Sequence, residues 1–347
     1  LTDLKNRMNL GTYNSGGEML ISKYMNIFLE EYKSQVTPST MAGYRKYAEK
    51  HLIPFFGNLK LKELQPFHIR EFIRQQTDKD YAGTTIKKHY RFLSLVMKQA
   101  FIDNLVVNNV VAKVKAPKSD TKEVEILQTK EQGQLLKFVK HEKSRLSDFK
   151  RREGDFLVES NFITVWLALN TGMRRGELAG LKWSDIDFDN KYLTVMRSVA
   201  MANKEVYLKE TKTKKGRRRI DLDSRTVVEL NKWKSYLAEY SLKLGSLYER
   251  NDLVLPNPEG KIASPYNFSQ HMIGISKRSG IKFGLHALRH THISNLIALN
   301  VNIKAVSERA GHSTIEITVN TYGHLMPSLS AGMIESATAK LNDSWNA

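Results

Sequence analysis

Apolar residues recur at helical spacing along most of this chain, and the period shortens to the two-residue alternation of strands in one block, 192–222, with a further short strand at 253–255 before Pro256. A chain so patterned buries its apolar stripes by packing helices on one another and on a little sheet. The expected fold is therefore mainly α with a small antiparallel β-sheet. Four amphipathic helices come first. Leu20, Tyr24, Ile27 and Phe28 mark one; Met41, Tyr44, Ala48 and Leu52 mark a second, capped by Thr37-Pro38. Ile69, Phe72 and Ile73 follow Pro66 in a third, and Ile86, Tyr90, Leu93, Met97 and Phe101 form a fourth. The stretch 116–122 is polar, proline-punctuated and without period, and reads as a linker. Helical pattern resumes near Thr129, gives way to strands over 192–196, 205–208 and 218–222, and returns over 227–244 and 266–277. The expected organisation is a flexible remnant over 1–17, a helical domain over 18–116, a linker over 117–125, a second domain over 126–325 and a helical tail over 326–347.

Charge narrows the partner. Across 347 residues, 54 Lys and Arg face 36 Asp and Glu, a formal charge of +18, which favours a polyanion such as nucleic acid. The surplus is shared, since 19–117 holds 16 basic against 8 acidic residues. With no cysteine, disulfides, thiolate metal sites and cysteine nucleophiles are excluded, and a reducing cytoplasm suits the chain. No apolar run approaches the ~20 residues of a membrane span. The first residue is Leu1, so a shortened chain is expected.

Chemistry concentrates in 284–325. His286 and Arg289 lie three apart on a helix whose apolar face is Leu285, Leu288, Ile293, Leu296 and Ile297. A short helix over 303–309 stops at Gly311, His312 follows at the turn, and Tyr322 comes ten residues later. An arginine fork, two imidazoles and a phenol suit an oxyanion and a nucleophile. Taken singly, each of these residues is more ordinarily structural. Upstream, Thr171-Gly172-Met173-Arg174-Arg175-Gly176-Glu177-Leu178 opens a short helix, and 212–219 carries six basic residues between two expected strands, read as a basic hairpin.

In combination, Thr-Gly-Met-Arg-x-x-Glu-Leu, then Lys212-Thr213, His286-x-x-Arg289, Gly311-His312 and Tyr322 resemble the signature of the tyrosine recombinases, the family of phage and conjugative-transposon integrases. The resemblance runs over about 19–325, and the first helical domain is similar to the family's core-binding domain through Thr40-x-x-x-Tyr44. It implies a C-shaped DNA clamp made of a helical core-binding domain and a mixed α/β catalytic domain. It also implies a catalytic set of Arg174, Lys212, His286, Arg289, His312 and Tyr322, with Glu177 supporting Arg174 from behind. Arg45, Lys46, Lys50, Lys87, Lys88 and Arg91 on helix faces, and Lys214, Lys215 and Arg217 in the basic segment, are candidates for gripping DNA phosphates, although charged helix faces are most often simply solvated.

What the resemblance implies chemically is a site-specific recombinase. Tyr322 attacks a phosphodiester to give a 3′-phosphotyrosine, Arg174, Arg289 and His312 hold the oxygens, Lys212 protonates the leaving 5′-oxygen, and His286 assists the loss of the tyrosine proton. Cationic surroundings are expected to favour the phenolate. No cofactor or metal is implied. Implied partners are double-stranded DNA, a homo-tetramer assembled on it with the tail docking on a neighbour, and an excisionase or host DNA-bending factor, in a bacterial, nucleoid-associated setting. A type IB topoisomerase-like enzyme and a non-catalytic DNA-binding regulator are the rival readings. His286, His290, His292, His312 and His324 also raise a metal site, with His286 and His290 at i, i+4, but no glutamate stands between them as in a His-Glu-x-x-His motif.

Overall fold

The computed structural model describes residues 15–118, 124–142, 148–202, 205–210 and 216–325. These fall into two compact units that divide between Lys122 and Glu123. The expected tail, most of the expected remnant, and Lys212, Lys214 and Lys215 lie outside the described residues.

The first unit is helical: α1 (Ile21–Tyr32), α2 (Pro38–Tyr47), the short α3 (Ile53–Phe56), α4 (Pro66–Asp78) and α5 (Gly83–Ile102). Thr37 caps α2 by accepting from the Thr40 amide, with Pro38 in the first turn where its missing N–H costs nothing. Between α2 and α3 the helix widens into a π turn over Ala48–Leu52, closed by the Ile53 amide on the Ala48 carbonyl. Pro54, next along, has no N–H to give the preceding turn, and the wider turn accommodates the gap. The core gathers Tyr24, Met25, Phe28, Leu52, Phe56, Phe72, Leu93 and Met97, and Tyr44 stacks on Phe92 at 4.7 Å. Two residues read as core are not. Leu20 is 41% exposed, since it precedes α1, and Phe101 is 47% exposed, in the last turn of α5 where the apolar stripe runs past the partner helices.

The second unit is built around α7 (Asp148–Thr171), whose Val165, Leu167 and Ala168 are fully buried. Around it stand α6 (Thr129–His141), α8 (Arg175–Ala179), α9 (Ser224–Leu244), α10 (Pro265–Ser279), α11 (Leu285–Ala298), α12 (Ile303–Ala310) and α13 (Ile315–Tyr322). The strands form two antiparallel sheets. β1 (Ile186–Asp187), β2 (Tyr192–Val195) and β5 (Arg218–Asp221) make one in the order β1-β2-β5; β3 (Arg197–Ala202) and β4 (Glu205–Glu210) make the other. The expected basic hairpin is thereby corrected. β4 pairs with β3 and β5 with β2, so the two described strands that flank the basic segment belong to different sheets and are not paired with each other. Along β5, Arg218 and Ile220 point inward while Arg219 and Asp221 face solvent. None of the described helices is long and apolar enough to cross a membrane.

Candidate active site

Two glycines shape the site's backbone. Gly172 ends α7 at φ +64°, and a side chain there would lie 2.6 Å from the His292 ring. The chain then turns to present Arg174 at the start of α8, its amide donating to Glu177 Oε2 at 2.9 Å. Gly311, at φ +66°, stops α12 in the left-handed conformation.

The end of α12 is where the arginines meet. Three successive carbonyls, the electronegative end of the helix, each accept from a different one. Arg218 Nε donates to Arg309 O at 2.7 Å, Arg289 Nη2 to Ala310 O at 2.6 Å and Arg174 Nη2 to Gly311 O at 2.7 Å. Arg289 also donates to Gly172 O at 2.5 Å, tying α11 to the turn before α8. Glu177 lies behind Arg174, taking Nη1 of Arg174 at 2.9 Å and both Nη groups of Arg218 at 3.0 and 2.7 Å. Burial alone would raise the Glu177 carboxyl, but the Arg218 fork and the Arg174 charge override it and hold it at about 2. Burial and the nearby Arg174 charge press Arg289 down to about 9. Arg175 turns the other way, to Ser269 Oγ at 3.1 Å.

His312 follows Gly311, with its Nδ1 2.8 Å from Thr318 Oγ1. Beside it opens a cleft of about 420 Å³ lined by Arg217, Lys304, Ser307 and His312 among others. Tyr322 ends α13 and is 1% exposed, set among Ile293, Ile297, Val306 and Ala310. The expected ease of ionisation is overturned here. Burial raises the phenol to about 12, and the opposing pull of Arg289 is the smaller effect. His286, on the exposed side of α11, touches the ring of His290 edge-on at 4.8 Å. The group at the Tyr322 hydroxyl is His290, whose Nδ1 is in hydrogen-bond contact with it. Burial, then the Arg289 and Arg174 charges, hold His312 at about 4, and burial with His286 and Arg289 does the same to His290.

Among the described residues no three His, Asp or Glu side chains converge as a metal centre would need. His292 is braced instead by Leu169 O at 2.8 Å and Arg309 Nε at 3.1 Å. Of the candidate phosphate-gripping residues, Arg45, Lys46, Lys50, Lys88, Arg91 and Arg217 are exposed and Lys87 is half-buried. Arg45 is paired with Glu30, and Arg217 lies 3.7 Å from Glu210.

Arg218 and His290 were not singled out as site residues from sequence. A signal for Arg218 existed: on a strand over 218–222 it shares a face with Ile220 and Leu222, and an arginine in phase with core positions needs a buried carboxylate. For His290 the sequence shows only its spacing to His286.

Comparison with known proteins bears on the family and the fold. Residues 126–328 match the phage integrase family and residues 20–75 its N-terminal SAM-like domain. A tyrosine recombinase XerC-like protein of Caldanaerobacter subterraneus subsp. tengcongensis is 35% identical over 51% of this chain, a match spanning 48% of that protein's own length. Two solved structures share the fold. One is a Tn1549 transposon integrase in complex with a circular intermediate DNA, with a TM-score of 0.73 at 18% identity, covering 93% of this chain and 99% of that one. The other is a lambda integrase tetramer bound to a Holliday junction, with a TM-score of 0.63 at 19% identity, covering 90% and 82%. With more than half its length matched and the arginines, histidines and tyrosine gathered at the end of α12, the chain belongs to the phage integrase family, the tyrosine recombinases of phages and conjugative transposons.

Proposed function

We propose that the protein is a site-specific DNA recombinase that integrates or excises a mobile element, cleaving and rejoining DNA through a 3′-phosphotyrosine link to Tyr322. The observation that carries this reading is the meeting of Arg174, Arg289 and His312 around the end of α12, beside the buried Tyr322. A phosphodiester resists attack because its oxygens are negative and its alkoxide leaves badly. Arg174 and Arg289, each fixed by a carbonyl, offer their remaining N–H groups to the non-bridging oxygens, and His312 adds a further donor. Because the fold holds these donors before substrate arrives, little reorganisation is needed as charge moves in the transition state. Lys212 is the family's match for the acid that protonates the 5′-oxygen, Glu177 steadies Arg174, and His286 stands at the exposed side of the site.

Retention of the bond energy in the tyrosyl link lets a second 5′-hydroxyl reverse the step, so two rounds exchange strands through a four-way junction without a metal or nucleotide cofactor. The DNA partner is supported by the net charge of +18 and by the solved relatives' complexes, and a tetramer by the lambda integrase assembly on a Holliday junction. Exposed Arg45, Lys46, Lys50, Lys88, Arg91 and Arg217, together with Lys87, Lys214 and Lys215, serve phosphate contact in this reading, and an excisionase or host DNA-bending factor sets direction.

The test is covalent trapping in EDTA. The protein is incubated with nicked duplexes from the element's ends, and products are run on a denaturing gel. An adduct mapping to Tyr322 and missing in Tyr322→Phe is the expected result. Tight binding with no adduct would overturn catalysis and leave a DNA-binding regulator.

A further inference from the structure

Building on the recombinase reading, we infer that His290, rather than His286, is the residue that takes the proton from Tyr322 as the tyrosine attacks phosphorus. The geometry separates the two. His290 Nδ1 is in hydrogen-bond contact with the Tyr322 hydroxyl and the rings are 5.6 Å apart, whereas His286 meets His290 edge-on and lies exposed one turn earlier on α11. Ile293, Ile297, Val306 and Ala310 share a buried cluster with Tyr322, and among the described residues the imidazole is the polar group in hydrogen-bond contact with its hydroxyl. The groups facing His290 are His286 and Arg289 on its own helix, Tyr322 on α13 and His312 beyond α12.

Burial, then the His286 and Arg289 charges, keep His290 neutral, held at about 4, and leave its Nδ1 lone pair free to accept the phenol's hydrogen. The phenol itself is held near 12. Free transfer between them is therefore uphill in the absence of DNA, and the nucleophile is stored as a hydrogen-bonded phenol. A phosphodiester bound at Arg174 and Arg289 brings negative charge that opposes the arginines and lifts the imidazole's affinity for a proton. The tyrosine oxygen loses basicity as it bonds to phosphorus, so proton transfer accompanies attack. In the balanced step the O–H bond of Tyr322 breaks and its proton passes to His290 Nδ1. The Oη–P bond forms, the P–O5′ bond breaks, and the departing 5′-oxygen takes a proton from the site's acid. On religation His290 returns the proton to the leaving tyrosine.

His290→Asn is the informative change, because the Asn carbonyl can accept a hydrogen bond in the place of Nδ1 but cannot take the proton. Adduct formation in a single turnover is measured on nicked duplexes from the element's ends, with a normal phosphate and with a bridging 5′-phosphorothiolate, across pH 6 to 9.5. His290→Ala is run beside it, and DNA binding is measured separately. The expectation is binding like the wild type and an adduct rate reduced by roughly 10²–10⁴, the usual worth of acid–base catalysis. The phosphorothiolate should not restore that rate, since it relieves only the leaving group, and the deficit should narrow as rising pH ionises more of the phenol. A wild-type rate in His290→Asn overturns the proposal while the Tyr322 adduct still upholds the recombinase reading. Rescue by the phosphorothiolate also overturns it, placing His290 on the leaving-group side. No adduct in the wild type overturns both.

Discussion

Arg45 and Arg218 are both arginines paired with glutamate, and they stand in different units of the chain. Arg45 lies 2.8 Å from Glu30 with the two side chains 47% and 57% exposed. The pair of Arg218 and Glu177 is 6% and 7% exposed, doubly hydrogen-bonded, and extended by a third bond to the Arg309 carbonyl. Water screens the first pair and lets it exchange Glu30 for a phosphate at little cost. The second pair sits where no water replaces a lost partner, so its geometry is fixed and its loss is felt by everything attached to it. An exposed pair can change partners; a buried one holds a shape.

The sharpest way to break that contrast is Arg218→Met. It leaves the Glu177 carboxylate buried with Arg174 alone, and unfolding in urea should show a loss of about 3–5 kcal/mol, with adduct formation falling as Glu177, which steadies Arg174, loses the Arg218 fork that anchors it. The acid limb should move as well. Because Glu177 is held at about 2 against an ordinary 4.5, its contribution is complete above pH 4.5 and drains away as pH falls toward 2. Without Arg218 the folded-state carboxyl rises back toward its ordinary value, so the stability lost between pH 4.5 and 2 should shrink. An unchanged acid limb would mean that Arg174 alone sets the Glu177 charge.

Gly311→Ala tests the same hub from the backbone side. The added carbon would lie 2.8 Å from Arg218 Nη1, at a residue already in the left-handed region. Thermal unfolding should register a loss of about 1–3 kcal/mol, smaller than for Arg218→Met. The smallest effect belongs to Arg45→Gln. Its unfolding midpoint should match the wild type, while the log–log salt slope for DNA binding drops by about 1 if Arg45 touches a phosphate.

These cases also separate what could be read from sequence from what could not. The Thr37-Pro38 cap, the helix start at Thr129 and the Gly311 stop are local, set by one residue's conformational needs, and each was legible. Strand β3 was not, because Arg197–Ala202 buries Val199 alone among its six residues and so shows no clean alternation. The unexpected pairing of β5 with β2 instead of β4 follows from the same omission, for β3 had already claimed β4. At the site, Arg174 and Glu177 share one turn and could be associated by spacing. Arg218 lies 41 residues from Glu177 and 91 from Arg309, and no local pattern reports such pairings. The tyrosine's environment was misjudged for a related reason: the arginines were visible in sequence, whereas the apolar cluster that buries Tyr322 exists only once α11, α12 and α13 pack.

The three carbonyls at the end of α12 also limit how this part of the gene can drift in length. Each residue of an α-helix turns the next by about 100°, so inserting or deleting one residue inside Ile303–Ala310 would swing the carbonyls of Arg309, Ala310 and Gly311 away from three arginines at once. The exposed connection just ahead, from Leu299 to Val301, precedes the helix and carries no such constraint. Length variation among descendants of this chain should therefore collect before Asn302, while the distance from α12 to Tyr322 stays constant.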